Sequence, residues 1–191
     1  MISEYAFGRY AWVLSLMFLT WGIGSWALAI ALQSQVLTRA GKVGLGFLVI
    51  AGIGEAMASV FDIRHEIGHS VAGFLGVLSF PVASMLLSVA LGRTEIWRPA
   101  KRALLWVANL SWISVVLLVA SLAIMTVQML RVTGGHLPQH APKALPPGVF
   151  GLAGWADRFI VLSYCAWIIL AGCIAIRLRQ QNLRRHETRL Q

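Results

Sequence analysis

The sequence predicts an all-α polytopic membrane protein, a transmembrane bundle of about five helices that forms one domain over residues 1–191. The first observation behind this is composition, with 58% hydrophobic and 12% charged residues. Soluble domains have about 45–50% apolar and about 25% charged residues. A soluble core of this size could not bury so much apolar surface, whereas a bilayer is itself an apolar solvent. The other two observations are the spacing of the apolar segments and the distribution of basic residues.

Five apolar segments are long enough to cross a membrane, which takes about 20 helical residues. They cover about residues 10–32, 43–61, 70–91, 103–130 and 159–176. The first segment is too long for the apolar region of a cleavable signal peptide, and no basic segment precedes it. The second and third segments are rich in small residues and separated by a short turn, which predicts a tight antiparallel hairpin. Pro81, inside the third, removes a backbone N–H and frees a carbonyl that a neighbouring helix must satisfy.

The basic residues set the predicted orientation. With five crossings, 11 of the 16 Lys and Arg residues fall on the side of the C-terminus and 5 on the side of the N-terminus. The positive-inside rule then places the basic tail, 177–191, in the cytoplasm, and the N-terminus and the loop 131–156 outside. The net charge of +9 indicates contact with anionic lipid head groups at the cytoplasmic face. No nucleic-acid partner is indicated, because no aromatic-basic groove or known motif accompanies the charge.

The turn between the second and third segments contains the motif His65-Glu66-x-x-His69. On a helix, the two histidines would share a face and could bind zinc, with Glu66 as general base for a bound water. A zinc protease also needs a third ligand, and the only aspartate besides Asp62 is Asp157. The alternative interpretation is a solvated turn in which Asp62 caps the third helix and His69 donates to a backbone carbonyl. This motif alone suggests a cofactor, zinc.

Glu55 is the one acidic residue clearly inside a predicted span. A charge at that depth costs at least about 2.5 kcal/mol on insertion scales, so we expect Glu55 to be protonated, paired or facing water. With Asp62 and His69 it forms a candidate catalytic set on the outer face. The alternative is a neutral glutamic acid that is hydrogen-bonded to a serine or a carbonyl. Three more residues on this face are candidates for ligand binding: Tyr5, Asp157 and Arg158. An acidic residue such as Asp157 also suits the start of the last helix.

Three stretches carry a resemblance to a known family. Residues 3–10 read Ser-Glu-Tyr-Ala-Phe-Gly-Arg-Tyr before the first span, residues 60–83 combine Phe-Asp, His69 and Phe-Pro-Val-Ala, and residues 151–158 run from Gly151 to Arg158 before the last span. In this order they resemble the bacterial multi-pass family known as domain of unknown function 998. The resemblance implies a bacterial cytoplasmic membrane location and makes Asp62 and His69 part of the family pattern, with His65 and Glu66 incidental. It also implies a usual first span that this chain lacks.

Three functions are open at this point. The first is a non-catalytic accessory subunit or binder of a lipid-like ligand, favoured by short loops and an incomplete catalytic set; its partners would be other membrane subunits or a second copy of the chain. The second is a membrane enzyme that acts on a lipophilic substrate through Glu55, Asp62 and His69. The third is a zinc intramembrane metalloprotease that uses His65, Glu66 and His69.

Overall fold

Five long α-helices make up the computed structural model, which describes residues 8–136 and 145–187, with side chains of the last helix described to residue 181. The helices are α1 Ala11–Leu32, α2 Arg39–Val60, α3 Glu66–Leu91, α4 Lys101–Val132 and α5 Ala153–Glu187, with a 3-10 turn, Arg98–Ala100, leading into α4. All five are long and apolar enough to cross a membrane, and the described residues contain no strand. The predicted all-α, five-span fold is therefore confirmed.

The connections between the helices alternate between two ends of the bundle. At one end, Trp97 Nε1 of the α3–α4 connection donates to Gln35 Oε1 of the α1–α2 connection at 2.7 Å. At the other end, Ala11 lies beside the α2–α3 turn and Arg9 lies near Arg158 of α5. We call the first the basic end and the second the turn end. The basic end carries Arg39, Lys42, Arg93, Arg98, Lys101 and Arg102.

The α2–α3 hairpin is held by contact between two helix backbones. A Cβ atom added to Gly54 would lie 2.3 Å from the Gly76 nitrogen and 2.7 Å from the Ala72 carbonyl oxygen. Only a residue without a side chain allows this approach, which brings many other atoms into van der Waals contact. The tight hairpin predicted from the small residues is thus confirmed. We call this contact the α2–α3 seam.

Pro81 lies inside α3, and its missing N–H leaves the Val77 carbonyl without its usual helical partner. The Tyr164 hydroxyl of α5 donates to that carbonyl oxygen at 2.5 Å. Tyr164 also stacks on Phe80, with ring centroids 4.2 Å apart. The prediction that a neighbouring helix must satisfy the freed carbonyl is confirmed, and α5 is the helix that does so.

The helix ends differ from the bounds of the apolar segments, because hydropathy marks the part of a helix that faces hydrocarbon rather than its ends. Helix α2 begins at Arg39, where the Thr38 hydroxyl accepts a hydrogen bond from the Gly41 N–H at 3.1 Å. Helix α5 begins at Ala153 rather than near 159 and continues to Glu187. The expectation that Asp157 and Arg158 cap the last helix is therefore wrong. Both lie within it, and Arg158 Nη1 donates to Gly154 O at 2.8 Å.

Candidate functional site

The α2–α3 turn is organised by Asp62. Its Oδ1 accepts from the Arg64 backbone N–H at 2.9 Å, and its Oδ2 accepts from Arg64 Nε at 2.8 Å. These hydrogen bonds from the guanidinium, together with its positive charge, lower the pKa of the Asp62 carboxyl to about 2. The predicted role of Asp62 as the cap of α3 is wrong, since α3 begins at Glu66 and its flanking residue His65 makes no side-chain cap. Asp62 instead closes the turn that precedes the helix.

The two histidines of the motif have different backbone settings and different partners. His65 precedes α3 with φ −104° and ψ 71°, and its Nδ1 lies 3.3 Å from Asp62 Oδ1. His69 belongs to the first turn of α3, and its Nδ1 lies 3.1 Å from Phe61 O. Because a carbonyl only accepts, His69 donates here, as the solvated-turn interpretation predicts. Within residues 8–136 and 145–187, no three His, Cys, Asp or Glu residues are grouped so that they could hold a metal ion.

A small cavity of about 90 Å³ lies between the start of α1 and the α2–α3 turn. We call it the turn cleft. It brings together two of the three predicted catalytic residues, Asp62 and His69. Glu55 is not among its lining residues. The lining consists of Ala11, Trp12, Leu14, Ser15, Phe18, Ala58, Asp62, Ile63, Arg64 and His69.

Glu55 lies deeper, on α2, and is only 4% exposed. Its Oε2 accepts from the Ser25 hydroxyl of α1 at 2.7 Å. Its Oε1 is buried and has no hydrogen-bond partner among the described residues, and the same holds for Trp21 Nε1, one helical turn before Ser25. The predicted hydrogen bond to a serine is therefore confirmed, and Ser25 is the partner. Of the predicted set Glu55, Asp62 and His69, the turn cleft is lined by Asp62 and His69 only.

A larger groove of about 660 Å³ lies at the turn end, between the start of α1 and α5. We call it the α1–α5 groove. Arg9 of the chain start and Arg158 of α5 both line it, and apolar side chains of α1 form its wall. The lining consists of Gly8, Arg9, Tyr10, Val13, Leu14, Met17 and Arg158. The two cavities of the turn end thus flank the first two turns of α1, and Leu14 contributes to both.

The two arginines of the groove are each held against an aromatic ring. The Arg158 guanidinium lies 5.8 Å from the centroid of the Trp155 ring, and that of Arg9 lies 5.9 Å from the Tyr10 ring. Arg158 was predicted as a ligand-binding candidate, whereas Arg9 was not. In the sequence, Arg9 lies directly before the first apolar segment, just as Arg158 lies directly before the last one. This shared position is the signal that could have identified Arg9. Asp157 does not line the groove, and Tyr5 lies outside the described residues.

A second groove of about 610 Å³ lies between α1 and α2, toward the basic end. We call it the α1–α2 groove. It is lined almost entirely by apolar side chains, with Gln33 as the one polar member and no charged residue. The lining consists of Trp26, Ala29, Ile30, Gln33, Leu45, Gly46, Val49 and Ile53. The two grooves therefore have similar volumes but differ in charge, because two arginines line the α1–α5 groove and no charged residue lines the α1–α2 groove.

Comparison with known proteins identifies the family of the chain. The sequence model of the family described as "Protein of unknown function (DUF998)" matches residues 1–174. This match covers most of the chain and confirms the family that the three sequence stretches resemble. No curated protein and no solved structure matches the chain.

Proposed function

The chain belongs to the multi-pass membrane family DUF998, and we propose that it is a non-catalytic protein of the bacterial cytoplasmic membrane that binds an anionic phospholipid in the α1–α5 groove. The observation that carries this proposal is the combination, in one groove, of an apolar wall from α1 with the guanidinium groups of Arg9 and Arg158. The groove lies at the turn end, and the bias of basic residues toward the basic end supports an outer position for it.

The dimensions and chemistry of the groove suit an amphiphile. Its volume of about 660 Å³ falls in the range of small-molecule sites, about 300–1,000 Å³. Val13, Leu14 and Met17 offer an apolar surface to an acyl chain. A guanidinium binds phosphate through two parallel hydrogen bonds, which a lysine cannot do.

Arg158 is oriented by the protein itself. Its Nη1 donates to Gly154 O, and its guanidinium lies over the Trp155 ring. A guanidinium has five N–H donors in a rigid planar fork, a geometry that matches a phosphate group. An arginine that is held in place loses less conformational entropy when it binds a ligand.

The geometry of the turn cleft supports a non-catalytic role. Its volume of about 90 Å³ is small for a lipid head group. Asp62 is already paired with Arg64, and its lowered pKa makes its carboxylate a weak general base at neutral pH. Glu55, the third candidate, does not line the cleft.

The test is native mass spectrometry of the protein extracted from bacterial membranes in mild detergent. The double variant Arg9→Gln/Arg158→Gln should lose co-purifying anionic phospholipid and keep zwitterionic lipid. The matched control is Arg93→Gln/Arg98→Gln, which removes the same charge at the basic end. Equal loss from both variants, or unchanged anionic lipid in the first, would contradict the proposal.

A further inference from the structure

Glu55 lies on α2 where this helix contacts both α1 and α3. The residue before it, Gly54, forms the α2–α3 seam with the Gly76 backbone of α3. Ser25 of α1 donates to its carboxyl group. An acidic residue is thus held next to a direct contact between two helix backbones, where an apolar or small side chain would suffice for packing.

No cation is among the described groups that contact Glu55. Helix α1 presents the Ser25 hydroxyl, and α3 presents its backbone at Gly76. The ion pairs of the α2–α3 turn, which join Asp62 to Arg64 and His65, do not include Glu55. Placing an ionised carboxylate inside a membrane costs more free energy than one hydrogen bond from a serine provides. Burial in the membrane therefore favours the protonated form of Glu55.

The carboxyl group also keeps hydrogen-bonding capacity that its surroundings do not use. Oε1 is buried and has no partner in the described part of the chain, and Trp21 Nε1, an N–H donor, is in the same situation. Buried polar groups are nearly always paired, and an exception calls for a functional explanation. A carboxyl oxygen that the fold leaves unpaired is a place where a proton can be gained or lost without breaking the packing.

The turn cleft lies next to the part of α2 that carries Glu55. Ala58 lines the cleft and is three residues beyond Glu55, so both lie on the same face of α2. Phe18 lines it on the α1 side and stacks on Trp21 with ring centroids 6.2 Å apart. Along the axis of α2, the lining residue Ala58 is thus less than one helical turn from Glu55, about 4.5 Å. His69, an imidazole able to relay a proton, lines the same cleft.

From these contacts we propose that Glu55 is a reversible proton-binding site inside the membrane and that its proton exchanges through the turn cleft. The site does not depend on the lipid bound in the α1–α5 groove. It gives the protein a group that responds to the pH on the side of the turn end.

Labelling with dicyclohexylcarbodiimide tests the protonated state on the unaltered protein. This lipophilic reagent reacts with a protonated carboxyl group: the acid adds across a C=N bond, and the O-acylurea rearranges to a stable N-acylurea with no leaving group. We expect one adduct per chain on Glu55 at neutral pH in liposomes, located by peptide mass spectrometry. Its yield should fall about tenfold per pH unit once the pH exceeds the midpoint for proton release. Glu55→Gln should remove the adduct.

The exposed residues Glu66 and Glu95 are the internal controls and should react only with a water-soluble carbodiimide. An unlabelled Glu55 in the wild-type protein at neutral pH, or a yield that does not change with pH, would overturn the proposal whether or not Glu55→Gln folds.

Infrared spectroscopy in heavy water tests the route. The band of the protonated Glu55 carboxyl should shift as its proton exchanges for deuterium. Ser15→Leu, which fills the turn cleft, should slow this shift about tenfold, the effect of adding about 1.4 kcal/mol to the barrier if access is through the cleft. Ser70→Leu, at an exposed position of the turn end, should leave the rate unchanged. Equal rates in both variants would overturn access through the cleft.

Discussion

The α2–α3 seam and the α1–α5 groove lie in the same half of the bundle but differ in how closely their helices approach each other. At the seam, Gly54 brings two backbones into direct contact. At the groove, the large side chains of Tyr10, Val13 and Met17 face α5 without such contact, and about 660 Å³ lies open. Lipid tails are as apolar as leucine, so helices in a membrane associate through close packing and hydrogen bonds. Where small residues are missing, the helices leave a groove between them.

The two regions also differ in their polar groups. A buried acidic residue, Glu55, lies next to the seam, whereas Arg9 and Arg158 line the groove. We therefore expect substitutions at the seam to change stability and substitutions at the groove to change ligand binding. Four predictions follow this division, from the largest effect to the smallest.

Gly54→Ala should break the seam. Its Cβ would overlap backbone atoms of Gly76 and Ala72, which cannot move without shifting α3. We expect a loss of about 1–3 kcal/mol in the free energy of unfolding, the usual cost of overpacking. Denaturation in detergent measures it. Gly73→Ala on α3 is the control, because a Cβ there meets nothing within 4 Å, and its effect should stay within about 0.5 kcal/mol. Equal effects would show that the seam is not a backbone contact.

Val13→Trp should fill the groove without disturbing the seam. We expect retention of anionic phospholipid to fall about tenfold, equivalent to about 1.4 kcal/mol of binding free energy, with stability nearly unchanged. Lipid content per chain and thermal unfolding measure the two quantities. Val116→Trp, at an exposed valine of α4, is the control. A loss of stability in Val13→Trp that accompanies the loss of lipid would contradict the expectation that groove substitutions change ligand binding and not stability.

Tyr164→Phe tests how α5 is held to α3 in the absence of a glycine seam. Removing the hydroxyl leaves the Val77 carbonyl unpaired, which should cost about 0.6–1.7 kcal/mol in the free energy of unfolding. In a Pro81→Ala background the restored N–H can bond that carbonyl, so the same substitution should cost less. A double-mutant cycle measures the difference. Additive effects would mean that Tyr164 does not compensate for Pro81.

Asp62→Asn should have the smallest effect, because the Asp62–Arg64 pair is largely exposed on the Arg64 side. The pKa of Asp62 is lowered from 3.8 to about 2 in the folded protein. Its contribution to stability is therefore complete above about pH 4 and is lost as the pH falls through about 2. The stability difference between wild type and variant should shrink over that window and stay constant above it. A difference that grows toward acid pH would contradict the pairing.

The sequence predicts the five helices and the α2–α3 hairpin well because both depend on local composition. For several contacts it predicts one of the two partners. Pro81 indicates a freed carbonyl, and Glu55 indicates a hydrogen-bonded partner, but the partners Tyr164 and Ser25 lie 87 and 30 residues away along the chain. Hydropathy shows which face of a helix is apolar only weakly when lipid surrounds the bundle.

The groove was harder to predict for the same reason. It joins the first and last helices, and no local pattern indicates that Arg9 and Arg158 lie at one cavity. Sequence reasoning placed Arg158 among the ligand-binding candidates from its side of the membrane alone. It also expected the last helix to begin near Asp157, whereas α5 begins at Ala153. The motif of His65, Glu66 and His69 is an example in the other direction, because there a sequence pattern is present without the expected geometry. Its spacing does not place both histidines on one helical face, since His65 lies before the start of α3.

Photocrosslinking with an anionic phospholipid that carries a photoreactive acyl chain tests the central claim most directly. The protein is reconstituted with this lipid, irradiated and mapped by peptide mass spectrometry. We predict crosslinks concentrated on residues 8–17 of the chain start and α1, lost in Arg9→Gln/Arg158→Gln, and few in the uncharged α1–α2 groove. Crosslinks spread evenly over the lipid-facing surface, or concentrated in the α1–α2 groove, would contradict a specific anionic-lipid site between α1 and α5.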